Sequence, residues 1–205
     1  PYQQPHPPIW IPSQGSRETM EWAAHPDRKY TYLLTFSPTE SVARHLNGYS
    51  AQCEEYGYQA KPDQLGWALP LYVAETDEIA MKEAGPHIEA FFNKFLISPV
   101  EYKLPPGYSS MSSYKIVMES KYKHRESYLS LEHLMKSGMF LCGSPETVAE
   151  RLEEHQSKMG FGNLVTMLQF GTLSAELTEK NTRLFASEVM PKLKHIAAPA
   201  AAAAE

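Results

Sequence analysis

Four times along this chain a short apolar run of strand length is followed by a longer stretch with helical spacing. That alternation restricts the fold more than any other feature of the sequence. The runs lie at residues 8–12, 29–36, 65–75 and 164–170. Such a rhythm predicts a parallel sheet with helices as crossovers, because parallel neighbours need a connection of about a dozen residues or more. The second run, KYTYLLTF, and the third, LGWALPLYVAE, are apolar nearly throughout, as strands buried on both faces are. Pro70 is awkward inside a strand and predicts a bulge or a sheet edge at that point.

The helices carry their own punctuation. Ser16 is placed to cap a helix running to about Ala24, and Pro26 ends it. SPTE reads as a capping box, with Ser37 at the cap, Pro38 at the first helical position and Glu40 at the third. That helix runs to about Tyr56, with Val42, Leu46, Tyr49 and Cys53 inward. Thr76 opens a long helix to about Leu96, whose packed face is marked by Ile79, Ala84, Ile88, Phe91, Phe92 and Phe95. Ser144 and Pro145 open another, with Val148, Ala149 and Leu152 inward. The last begins near Ser174, with Leu177, Leu184, Phe185 and Val189 inward.

Between residues 97 and 141 the rhythm breaks into prolines, serines and tyrosines. This reads as a long insertion with short helices at 114–128 and 130–137. It is either a lid over an apolar pocket or a solvated excursion. The organisation is one domain over residues 1–195, interrupted by that insertion, and an Ala-rich tail at 196–205 expected to fray.

A chain of 205 residues supports one sizeable core. Its formal charge of −5 argues against a nucleic-acid or anionic-membrane binder, which needs a clustered basic surface. No apolar run approaches the roughly 20 residues of a membrane span. Cys53 and Cys142 have neither metal-ligand spacing nor the numbers of a disulfide scaffold, so a reducing, cytoplasmic setting is expected. The eight histidines form no metal pattern and read as surface or helix-face residues.

The segment PPIWIPSQGSRETMEWAA (residues 7–24) joins the first strand to its helix through a Gly-Ser turn. A helix N-terminus presents unpaired N–H groups and a partial positive charge, and a glycine before the cap lets an anion approach the backbone. Gly15, Ser16, Arg17 and Thr19 are all suited to a phosphate. The same residues would serve a plain helix cap equally well. Gln169, Phe36, Ser37, Tyr72 and Glu75 mark carboxyl ends of strands, where an α/β barrel would place its active site.

Three stretches in series resemble bacterial-luciferase-like flavin monooxygenases: the segment just quoted, GSPETVAERLEEH, and QFGTL followed by LFASEVMPKLK. The resemblance implies an eight-stranded α/β barrel of the TIM type, of which this chain supplies the C-terminal half, strands five to eight. It implies reduced FMN, or in some branches a deazaflavin, with Ser16 and Thr19 on the phosphate beside the amides of Gly15 and Arg17. It implies O2 and a small organic substrate such as an aldehyde, with electrons from a separate flavin reductase or from NAD(P)H. Gln169 and Phe36 are then pocket residues; catalytic residues are not indicated and no metal is. Homo-oligomerisation or association with an N-terminal half is expected. A non-catalytic, phosphate- or flavin-binding relative is the competing reading, and a small stand-alone open sheet a third.

Overall fold

The computed structural model describes residues 2–4, 6–97, 107, 110–112, 114–115, 118–119 and 128–197. The elements alternate as expected. They run β1 (Trp10–Ser13), α1 (Arg17–Ala24), β2 (Thr31–Thr35), α2 (Thr39–Glu55), β3 (Leu65–Val73) and α3 (Asp77–Ala90), which continues as a π-helical turn (Phe91–Phe95). Then come α4 (Leu131–Lys136), β4 (Leu141–Gly143), α5 (Pro145–Met159), β5 (Asn163–Met167), α6 (Ala175–Leu184), a second π-helical turn (Phe185–Val189) and α7 (Met190–Ala197). The helix expected at 114–128 and the tail expected to fray fall largely outside the described residues.

All pairings are parallel: β1 with β2, β2 with β3, and β3 with both β5 and β4. Residues 66–68 of β3 pair with β2 and with β5 at once, so those two strands flank it. The sheet therefore holds five strands rather than the four expected, because β4 is a three-residue piece too short to show a period. It pairs with Leu71–Val73, where β2 has already ended.

Pro70 explains itself through this seam. Ala74 N donates to Gly143 O on the β4 side, whereas Leu71 O and Val73 N turn to the other edge. Backbone groups alternate edges along a strand, so the nitrogen of Pro70 lies on the β2/β4 side, between the last β2 pairing at Ala68 and the first β4 pairing at Leu71. No donor is needed there. The proline is neither at a sheet edge nor at a bulge; it sits in a central strand at a break between partners.

Asn181 fills the matching break on the other edge. Its side chain is fully buried; Oδ1 accepts from Val73 N at 2.8 Å, while Nδ2 donates to Leu71 O and Leu168 O, both at 2.9 Å. The amide splices β3 to the chain leaving β5, and only one orientation of it satisfies all three partners.

One face of the sheet is covered by helices. Tyr32, Leu34, Trp67, Leu69, Leu71 and Val73 pack against Val42, Leu46, Tyr49 and Cys53 of α2 and Val148 and Leu152 of α5. The opposite face, fixed by the register, carries Trp10, Pro12, Leu33, Ala68 and Val165. Gly66 lacks a side chain where Leu33 lies across it. This face is only partly covered: Trp10 is 38% and Val165 40% exposed. Among the described residues β1 pairs only with β2, and β5 only with β3.

The helix α3 does not join the outer layer. Its Phe91 ring meets Phe36 at the end of β2 (5.9 Å between centroids), His87 hydrogen-bonds Thr172 beyond β5, and Tyr72 of β3 packs in the same cluster as Ala80, Ala84 and Ile88. It therefore lies across the carboxyl ends of β2, β3 and β5. Gly171 (φ +55°) lets the chain pass so close that a Cβ there would stand 2.2 Å from His87 O. Of the face expected to pack, Ile88 and Phe92 are buried, but Ile79 and Phe95 are exposed.

The predicted capping box at Ser37 does not form. Phe36 takes a positive φ of 48° and turns the chain, so that Ser37 Oγ donates back to Thr35 O and Pro38 becomes the cap without a side-chain bond. The end of α4 substitutes: Ser137 O accepts from Thr39 N at 3.0 Å and from Thr39 Oγ1.

Candidate functional site

The Gly-Ser turn sits where β1 hands over to α1, on the carboxyl side of the sheet. Ser16 is the N-cap of α1, and its Oγ accepts from Thr19 N at 3.4 Å. Its proton goes to Glu18 Oε2 at 2.9 Å. Gly15 has φ +103°, a backbone region that L side chains avoid. Gly15 N donates to Ser13 Oγ at 3.0 Å, and Tyr32 Oη donates to the same oxygen at 3.1 Å. The Tyr32 ring stacks on Tyr49 of α2 with centroids 5.3 Å apart and planes 6° from parallel. A buried aromatic stack therefore anchors the turn from beneath through Ser13, whose role leaves no mark in the local sequence.

The helix ladder begins with Met20 N donating to Ser16 O, so the Arg17 amide lies ahead of it at the tip. The Arg17 side chain does not face the turn. It runs along the helix to Glu21 at 2.6 Å, and that carboxylate raises its pKa. Thr19 is half-buried on the first turn. The Gly15 amide, expected to face an anion, is instead held by Ser13 Oγ. The turn can still offer two hydroxyls and the Arg17 amide at the helix tip, once the Glu18 carboxylate gives way.

His45 also belongs to this neighbourhood. A Cβ built on Gly15 would stand 2.3 Å from His45 Nε2 and 2.4 Å from Cε1, so the ring edge occupies the side-chain space of that glycine. His45 Nδ1 lies 3.3 Å from Ser41 Oγ, which accepts from Arg44 Nη2.

The α5 N-terminus looks similar in sequence but differs in structure. Asp77 already occupies it, accepting from Ser144 N at 2.7 Å and Thr147 Oγ1 at 3.1 Å. Those bonds, the Ser144 amide first, hold the carboxyl below its usual range. The structure thus distinguishes two helix tips that read alike.

The other rim residues are scattered around the edge. Phe36 lies against Phe91, half-buried; Gln169 is exposed beyond β5, separated from the turn by β2 and β3. Tyr72 is fully buried, and its hydroxyl donates to Glu83 at 2.9 Å. Lys180 of α6 pairs with Glu75 at 2.7 Å and Glu83 at 2.9 Å. These groups spend their charge on one another and clamp α3 to α6. Cys142 is buried, and desolvation pushes its thiol up to about 12, which makes it a poor nucleophile. Among the described residues no group of histidine, cysteine and acidic side chains could hold a metal ion, and no helix is long and apolar enough to cross a membrane.

A parallel β/α chain whose first strand ends in a glycine turn and a serine-capped helix is a layout found in α/β barrels. The luciferase-like monooxygenase profile matches residues 1–161, and the chain belongs to that family. It is 24% identical over 179 residues to 2,5-diketocamphane 1,2-monooxygenase 1 of Pseudomonas putida, a match covering 86% of this chain and 46% of that protein. Its fold is similar to that of the oxygenating constituent of 3,6-diketocamphane monooxygenase from Pseudomonas putida, a type II Baeyer-Villiger monooxygenase solved with FMN. There the TM-score is 0.62 and the identity 21%, over 90% of this chain and 48% of that one. It is likewise similar to the monooxygenase RslO1 from Streptomyces bottropensis, with a TM-score of 0.62, 18% identity and coverage of 93% and 49%. The chain thus spans about half the length of the relatives it matches.

Proposed function

We propose that this chain is the flavin-phosphate half of an FMN-dependent monooxygenase barrel. The observation that carries the reading is the α1 turn: a φ +103° glycine and a Ser16 cap, with Thr19 one turn on, held from beneath by Ser13 and Tyr32. A phosphate monoester suits that donor set, since hydroxyls and helix-tip amides bind a doubly charged oxyanion without needing a cation. Ser16 Oγ exchanges Glu18 for the phosphate. When bound, reduced FMN supplies the chemistry that activates O2 for insertion into a small organic substrate. The chain's own contribution is to grip the phosphate and to wall the rim with Phe36 and Phe91; Gln169 lies at the outer margin.

The half-covered face of Trp10, Leu33, Ala68 and Val165 supports the second element of the reading. In a closed barrel that face is the packed interior. We infer that four further strand-helix units complete it, in the same polypeptide or in another, and that a separate reductase supplies the reduced flavin.

The test is a fluorescence titration of FMN and riboflavin with the chain, alone and mixed with an N-terminal four-unit half. FMN is expected to bind more tightly than riboflavin, and the added half to tighten both. Ser16→Ala combined with Thr19→Val should weaken FMN about tenfold or more through lost hydrogen bonds to a charged group, and leave riboflavin unchanged. Equal affinities for FMN and riboflavin in the unmodified chain would overturn the assignment.

A further inference from the structure

We propose that His45 is a positioning residue for the phosphate turn, and that it takes up a proton from solvent when a phosphate monoester binds there. This rests on the reading of the turn given above.

The geometry is specific. The Nε2–Cε1 edge of the ring lies against Gly15 on the side where any other residue would carry a side chain. The opposite nitrogen is tethered to Ser41, one turn earlier on α2, and Ser41 is in turn held by Arg44. The ring cannot leave Gly15 without breaking that tether, and Gly15 cannot shift toward α2 without striking the ring. His45 therefore limits how deep the turn can sit, while Ser13 and Tyr32 hold it from beneath.

The charged side chains on the two helices meeting here are Glu40, Arg44, Glu54 and Glu55 on α2 and Arg17, Glu18 and Glu21 on α1; Glu54 and Glu55 lie at the far end of α2, where Glu55 acts on Arg17. Arg17 and Glu21 pair with each other, Glu18 lies on the Ser16 hydroxyl, and Glu40 is exposed in the first turn of α2. Burial first, then the Arg44 charge, hold the imidazole below its ordinary range, against an opposing pull from Ser41. The ring is thus neutral in the unliganded turn near neutral pH. A phosphate dianion at Ser16 adds negative charge beside the ring and favours the imidazolium. By reciprocity, the protonated ring must favour the phosphate dianion equally, so affinity for the dianion rises as pH falls through the shifted pKa.

The experiment follows the His45 ring proton by NMR from pH 5 to 8. The resonance is identified by its loss in His45→Gln. Spectra are taken for the full chain alone, with FMN, and with riboflavin at equal concentration. The free ring is expected to titrate below the usual histidine range. FMN should raise its midpoint by about one pH unit, equivalent to a tenfold coupling, and riboflavin should leave it in place. Ser41→Ala keeps the ring and loses the tether; it should reduce the FMN-induced shift without abolishing binding. A midpoint that moves equally with both flavins, or with neither while FMN still binds more tightly than riboflavin, overturns the role of His45 and leaves the turn assignment standing. If FMN binds no more tightly than riboflavin, the turn assignment fails and this inference with it.

Discussion

Asn181→Ala is expected to be among the most damaging single substitutions in this chain. It removes one acceptor and two donor contacts at a buried site and leaves Val73 N, Leu71 O and Leu168 O without partners. Each orphaned buried group costs about 1–3 kcal/mol, so a loss of at least about 3 kcal/mol is expected. In urea unfolding that appears as a lowered midpoint with an unchanged slope, and in a thermal melt as a fall of roughly 10 °C. Asn181→Asp separates shape from chemistry. It keeps the acceptor for Val73 N but turns a carboxylate toward two carbonyl oxygens, and it should be no better tolerated than alanine near neutral pH. A variant within about 0.5 kcal/mol of the parent would mean that the splice between β3 and β5 is not built as described.

Gly15→Ala is the second large effect, and it acts on binding more than on folding. The alanine must hold φ +103°, a strain of about 1–3 kcal/mol, and its Cβ would press on the His45 ring. The ring can yield only by releasing Ser41. The turn is therefore expected to shift out of register with the α1 tip, with FMN affinity falling about 10–100-fold. Gly15→Ala combined with His45→Ala removes the collision but not the backbone strain. It should recover part of the lost stability and little of the affinity.

The features legible in the sequence are those whose cause is local. The helix starts at Ser16, Thr76, Ser144 and Ser174 were readable because a cap bonds three residues on, and each of them does so. The strand-helix alternation was readable because four of the five strands lie in apolar runs of strand length; β4, three residues long, was not. What escaped has remote partners. Asn181 bonds Leu71 O across 110 positions and Asp77 reaches Ser144 across 67, and neither leaves a mark in its own neighbourhood. His45 looked like one of several helix-face histidines because Gly15 lies on another element. Ser37 failed as a cap for a backbone reason: Phe36 takes a left-handed conformation that no propensity predicts for phenylalanine. Pro70 misled because its meaning depends on where two neighbouring strands stop. Of the proposed phosphate turn, the sequence names Gly15, Ser16, Arg17 and Thr19 as candidates. The supports beneath it (Ser13, Tyr32, Tyr49) and beside it (His45) are not among them.

The two helix tips show why fold alone does not locate a phosphate. Both α1 and α5 open with a serine cap and a glutamate in the first turn. Asp77 fills the second tip with a carboxylate from α3, whereas at the first the first-turn Glu18 accepts from the cap hydroxyl. An acid from a remote element secures two helices to each other, and one from the same turn can swing aside. The Glu75–Lys180–Glu83 clamp plays a comparable part at the opposite side of the rim, fixing α3 over the strand ends.

Whether the α1 turn grips the flavin phosphate is read from the 31P resonance of FMN titrated with the chain. A shifted or broadened phosphate signal is expected, returning to its free position in the Ser16→Ala, Thr19→Val variant. A phosphate resonance unchanged by the parent chain, while the isoalloxazine fluorescence is quenched, would place the phosphate elsewhere than at the α1 turn.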